Sequence, residues 1–274
     1  MIYLTTEEHR KVVERLVFLH SSVTNVDLHP AGAEYTSLMV CFGLHSRGVA
    51  ESTLTLHDRF GTEWFPTTAC YVMLRSLFEV DVTAHYIAKD PANRSRMYVD
   101  FEKVTDKKML DAINRHRMSQ EPTWREGLQL LYEHAYASRQ AEIEASYAGV
   151  RRQFEDKNGR MARSWSGKSL YTMAKEVNHL EAYEIYYAEL SSFAHVNVAL
   201  ADRFLRVKGL AGRGGPAWSM RAREFDVAHA FRYAAIFFTC FLELFGNELK
   251  LWDALKVRAC WDFPEAKNRD PGYA

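Results

Sequence analysis

Tyr71, Arg75 and Glu79 follow one another at four-residue intervals, and so do Tyr187, Ser191 and His195. On a helix each set stacks on one face over two turns. The first set lies within Cys70-Tyr71-Val72-Met73-Leu74-Arg75-Ser76-Leu77-Phe78-Glu79-Val80, where the intervening residues are almost all apolar. Charge in such a setting is costly to bury unless it is paired and hydrogen-bonded, so Arg75 and Glu79 either satisfy each other or hold a ligand. Arg75 has the geometry for bidentate recognition of an anion, with Glu79 to orient it. His195 supplies a group that titrates near neutral pH; in a catalytic site His195 and Glu79 would be the acid–base residues. Tyr71, Tyr187 and Ser191 add ligand-binding hydroxyls. The competing reading is a structural ion pair and a satisfied core histidine.

These residues need helices to position them, and the chain is patterned for helices. Only 7 prolines and 14 glycines punctuate 274 residues, and no stretch alternates as a strand does. Thr5 and Glu8 form a capping box ahead of Val12, Val13, Leu16, Val17 and Leu19. Further helices are expected over about 33–57, with a break near Gly43 or Gly48, then to about Ala88, and through 94–108 behind an Asp90-Pro91 start. A segment headed by a Thr123/Glu126 box runs to about Asp156, followed by helices near 169–177 and 180–207. The last, over about 224–256, is apolar on nearly every face and belongs at the centre of the bundle. The expectation is an all-α multi-helix bundle, a single domain with a central apolar C-terminal helix. Residues 1–62 pack on a core of 63–260, and 261–274 form an irregular tail.

Three stretches together resemble the bacterial helical family catalogued as domain of unknown function 5677. They are Tyr71 to Glu79, the Trp165-Ser166-Gly167 turn leading to Ala174-Lys175-Glu176, and Tyr183 to His195 with its Tyr-x-x-x-Ser-x-x-x-His ending. The likeness covers roughly 65–199 and implies an all-helical fold with a polar cluster at Arg75, Glu79, Ser191 and His195. It implies no activity.

Thirty-five basic and 35 acidic side chains cancel, which argues against a protein that coats nucleic acid or anionic membrane through its overall field. The cancellation conceals a polarity: Arg203, Arg206, Lys208, Arg213, Arg221 and Arg223 occur between 203 and 223 with no acid. A second cluster comprises Arg151, Arg152, Lys157, Arg160, Arg163 and Lys168. Either is a solvated surface or a contact for phosphate, RNA or an acidic partner, with Arg203, Arg206, Arg213 and Arg221 as the contacting residues. The longest largely apolar stretch, 233–242 with Thr239 inside it, falls short of the roughly 20 residues of a bilayer span, and no secretory pattern opens the chain, so a cytoplasmic protein is expected. Four scattered cysteines read as free thiols.

Several motifs carry no chemistry. Gly167-Lys168-Ser169 lacks the upstream glycine and strand of a phosphate loop, and no His-Glu-x-x-His occurs, so neither cofactor nor metal is expected. Arg15 with His20 and Arg223 with His229 match the Arg-to-His spacing of helical RNases, but 23 arginines and 11 histidines generate about three such pairs by chance. The leading expectation is a helical protein whose Arg75/Glu79/Ser191/His195 pocket binds a small polar or anionic ligand. The alternatives are a metal-independent RNase or nucleic-acid-binding effector of a bacterial defence system, and a structural or interaction protein. Homo-oligomers are compatible with all three.

Overall fold

The structure, a computed structural model, describes residues 4–117, 122–194 and 224–263. It is all-α: among the described residues the extended structure amounts to one isolated bridge, Glu155 with Met161. The helices are α1 (Thr6–Ser21), α2 (Ala33–Phe60), α3 (Thr67–Ala88), α4 (Pro91–His116), α5 (Pro122–Leu131), α6 (Gln140–Phe154), α7 (Leu170–Glu176), α8 (Leu180–Ala182), α9 (Ala188–Ala194), α10 (Glu224–Glu248) and α11 (Ala254–Ala259). A π-helical turn, Tyr132–Tyr136, and a 3-10 turn, Ala137–Arg139, separate α5 from α6, and a second π turn, Tyr183–Tyr187, joins α8 to α9.

The chain divides into two compact units, 1–89 with 170–274, and 90–169. In the first, α10 is the organising element. Val227, Ala230, Phe231, Ala234, Phe237, Phe238, Phe241, Leu242 and Phe245 are all buried, a wide apolar stripe along the helix, while Phe225, Arg232 and Asn247 on its other side stay exposed. α1, α2 and α3 pack around it, contributing Val12, Val13 and Leu16, then Met39 and Ala50, then Leu74, Leu77 and Phe78. α10 has the length and apolar composition of a membrane span, but its apolar faces are taken up by these helices. In the second unit α4 packs on α6, and Phe101 and Phe154 meet edge to face at 5.2 Å beside Val104 and Val150.

Local chemistry accounts for most boundaries. Thr5 and Glu8 form the expected reciprocal capping box on α1. α2 runs unbroken through Gly43 and Gly48, because α2 packs on α1, α3 and α10 along its length and this outweighs the propensity cost of two glycines. Asp90 does not cap α4 with its side chain; its carboxylate accepts from Asn93 Nδ2 at 3.1 Å instead. α5 starts at Pro122, so Thr123 lies inside the helix rather than at its cap.

α10 stops at Glu248, eight residues before the expected Lys256. Lys250 takes a left-handed φ of 54°, Leu251 N–H reaches Gly246 C=O at 3.0 Å, and Lys250 N–H reaches Asn247 C=O at 3.4 Å. That pattern of two closing bonds is a Schellman stop. It is held by Trp252, whose indole folds back onto Gly246 and donates to Leu242 C=O at 3.2 Å. Asp253 then caps α11 by accepting from Lys256 N–H.

A Cβ at Gly246 would lie 2.2 Å from Trp252 Nε1 and 2.8 Å from Cε2, a collision with a rigid ring, whereas a Cβ at Gly48 meets nothing within 4 Å. Gly246→Ala is therefore expected to destabilise by about 1–3 kcal/mol through overpacking. Gly48→Ala is expected to stabilise by up to about 1 kcal/mol through helix propensity. Urea unfolding of the two variants checks both signs.

Candidate functional site

The polar face of α3 meets Tyr187, the last residue of the π turn before α9. Arg75 Nε donates to Glu79 Oε1 at 2.9 Å, Arg75 Nη2 donates to the Tyr187 hydroxyl at 2.9 Å, and that hydroxyl donates to the same Glu79 oxygen at 2.9 Å. Three groups thus close a ring in which each bond reinforces the others. The ring is half-buried: the Arg75 and Glu79 side chains keep 26% and 41% of their surface. Burial works against the Arg75 charge, but Glu79 and Tyr187 outweigh it and raise the guanidinium pKa. The Tyr187 phenol is raised as well, first by burial and then by Glu79.

The π turn matters here. Its wider register shifts the residues that follow relative to a continuous α-helix, and Tyr187 stands at the junction. Its ring stacks on Tyr183 at 4.8 Å and packs on Phe78 at 5.5 Å, so the hydroxyl is aimed at α3 by an aromatic wall. One turn on, Ser191 Oγ is shielded from solvent. It lies near enough to the phenol to oppose the rise in its pKa, yet makes no hydrogen bond of standard geometry among the described residues.

Tyr71 shares the α3 stripe but serves the core: its fully buried ring packs on Phe193 at 4.5 Å and its hydroxyl donates to Asp226 C=O at 3.1 Å. It ties α3 to the start of α10 and stands apart from the Arg75 ring. His195 lies outside the described residues, as do Arg203, Arg206, Arg213 and Arg221. In the second basic cluster Arg151 is ion-paired to Glu155. Arg160 and Arg163 line an open cavity of about 510 Å³ whose wall also carries Glu155 and Asp156.

A second polar group on α3 escapes the sequence reading. Asp81, 2% exposed, has His85 Nδ1 at 3.1 Å from Oδ1 and His179 Nδ1 at 3.2 Å from Oδ2. The two imidazoles lie edge to face with centroids 4.6 Å apart. Burial alone would push the Asp81 carboxyl up, but His85 and His179 prevail and hold it below the usual carboxylate range. His85 is raised: burial opposes its charge, and Asp81 more than compensates. From α10, Cys240 senses the same carboxylate, its thiol pushed up to about 12 by burial and then by Asp81 and Glu243. Asp81 and His85 are one helical turn apart in sequence, a visible signal. His179 has no sequence link to them.

The sequence profile described as a family of unknown function (DUF5677) matches residues 40–211, more than half of the chain. The chain belongs to that family. The matched span holds all of Arg75, Glu79, Asp81, His85, His179, Tyr187 and Ser191, so both polar groups fall within the DUF5677 region. No curated protein and no solved structure matches. DUF5677 membership leaves the activity to be argued from these side chains.

The Arg–His pair in α1 is structural. Arg15 donates to Cys260 C=O at 3.1 Å and Asp262 C=O at 3.3 Å, which fastens the end of α11 to α1. His20 is buried against Phe238 and Phe245, with neither ring nitrogen hydrogen-bonded among the described residues. Burial, then Arg47, lowers its pKa below the ordinary 6.5. The unfolded chain therefore binds the proton first, and stability is lost as pH falls through 6.5 toward the folded value. His20→Phe should flatten that part of the stability profile, as measured by urea midpoints across the acid range; an unchanged slope would contradict this assignment.

Proposed function

We propose that the protein binds a small polar or anionic ligand against the α3–α9 face, at Arg75, Glu79, Tyr187 and Ser191. The observation that carries this reading is the solvent-shielded Ser191 hydroxyl beside the hydrogen-bonded ring. Apart from the Tyr187 phenol beside it, this hydroxyl has no protein partner of standard geometry among the described residues, so its remaining hydrogen-bonding capacity suits a ligand. The ring supplies the rest of the recognition. Nε and one Nη2 proton of Arg75 are used internally, leaving the Nη1 edge of a guanidinium whose plane is fixed by Glu79 and Tyr187. A carboxylate or phosphate oxygen fits that edge, and pre-organisation lowers the entropy cost of binding it. The Glu79 charge balances Arg75, which disfavours polyanions and favours a ligand that brings a donor for the carboxylate as well.

Thermal-shift measurements on the full chain with monocarboxylates, hydroxy acids, amino acids and inorganic phosphate test this. At least one such compound is expected to raise Tm in the wild type and to lose its effect in Arg75→Gln and Ser191→Ala. Tyr187→Phe should cost no more than about 1 kcal/mol of stability, since the ring is half-exposed, and should weaken binding. If Tyr187→Phe and Arg75→Gln lower Tm while none of these compounds raises it in the wild type, the ring is a structural ion pair and the reading fails.

A further inference from the structure

We propose that Asp81, His85 and His179 form a binding site for a divalent first-row transition-metal ion, with the carboxylate and the two imidazoles as ligands and the remaining coordination positions open. The three residues offer donor atoms that all lie within 4.8 Å of one another. A tetrahedral ion with bonds of about 2.0–2.2 Å to nitrogen and oxygen sets neighbouring donors about 3.3 Å apart. The carboxylate-to-imidazole separations here are 3.1 and 3.2 Å. These two edges, one to each Asp81 oxygen, are therefore near the edge length of the coordination polyhedron.

A second, independent observation concerns Asp81 itself. Its side chain is 2% exposed, and Oδ1 makes no hydrogen bond of standard geometry, although an imidazole nitrogen lies within 3.1 Å. A separation that short without a hydrogen bond of standard geometry also suits two ligands that share an ion. A proton on His85 Nδ1 is directed instead to the Asp81 backbone carbonyl at 2.9 Å; a metal ion takes its place at Nδ1 while the neutral ring keeps one proton at Nε2, and an imidazolium releases its second proton to solvent.

The backbone is committed to presenting His179. α7 ends in a Schellman stop: Asn178 takes a left-handed φ of 62°, its N–H reaches Lys175 C=O at 3.3 Å, and His179 N–H reaches Ala174 C=O at 2.8 Å. Asparagine tolerates that region, and the stop places His179 directly after α7. On α3, Asp81 and His85 occupy successive turns of one face, the spacing of a helical chelate. Two imidazoles with one carboxylate select a first-row ion such as Zn²⁺ or Fe²⁺ over Mg²⁺ or Ca²⁺, which require an oxygen shell.

The test is titration of the chelator-treated full chain with Co²⁺, followed by its visible d–d bands, with Zn²⁺ as competitor. One equivalent of Co²⁺ per chain is expected, displaced by Zn²⁺ and indifferent to Mg²⁺. Loss of an outer-shell partner alone weakens metal sites by about 10–100-fold, so Asp81→Asn and His179→Asn are expected to weaken Co²⁺ binding by more than about a hundredfold. Circular dichroism confirms that each variant is folded. A wild-type chain that unfolds cooperatively but takes up neither Co²⁺ nor Zn²⁺ overturns the proposal, whatever the variants do. So does binding of undiminished strength in a folded Asp81→Asn. Neither outcome bears on the Arg75 ring, whose test uses other residues and no metal.

Discussion

The constraint on which the first unit depends is the charge of Asp81. α3 has to lie against α10, α2, α7 and α9, so most of its surface is buried and apolar, with Leu74, Leu77, Phe78 and Val82 turned inward. A carboxylate placed in that surroundings is costly to ionise, and it stays ionised because two imidazoles reach it. His85 comes with the helix. His179 does not: it must be delivered by α7 and its left-handed stop at Asn178, so the packing of α7 on α3 and the electrostatics of Asp81 are one requirement. Taking away one partner would leave an uncompensated charge inside the unit, the costly way to break a buried pair.

α3 carries two polar groups that act separately. Arg75 and Asp81 are six residues apart, and at about 100° per residue this places them roughly 120° apart around the helix. The Arg75–Glu79 stripe therefore turns toward Tyr187 and the start of α9, while the Asp81–His85 stripe turns toward α7 and Cys240. Phe78 lies between them and packs on Phe237 at 5.2 Å. One helix thus presents a half-exposed hydrogen-bonded ring and a closed nitrogen–oxygen cluster, isolated from each other by an aromatic layer. The ligand binding proposed at the first and the metal binding proposed at the second would be independent properties of the same element.

Much of this was legible in the residues. Helical periodicity, the Thr5/Glu8 box and the apolar run of α10 depend on local pattern, and the structure follows them. Four-residue spacing put Arg75 with Glu79 and Tyr187 with Ser191 on one face each and pointed to a shared pocket with His195; the packing that brings Tyr187 onto Arg75 and Glu79 is a tertiary fact. What was not legible depends on tertiary contact. The end of α10 is decided by Trp252 folding onto Gly246, an interaction no window of helix propensity registers. Tyr71 has the right spacing for the Arg75 stripe, but its hydroxyl is captured by Asp226 C=O, far along the chain. The Asp81 and His85 pair was visible as a one-turn spacing, yet its meaning comes from His179, nearly a hundred residues later.

The most direct measurement of the central claim, that α3 builds a charged cluster made to coordinate an ion, is anomalous diffraction from crystals of the full chain grown with Zn²⁺, recorded on both sides of the zinc absorption edge. The account predicts one strong peak bounded by an Asp81 carboxylate oxygen and the His85 and His179 imidazole nitrogens, at about 2.0–2.2 Å from each. Absence of a peak there, with both imidazoles donating to the Asp81 carboxylate, would contradict it.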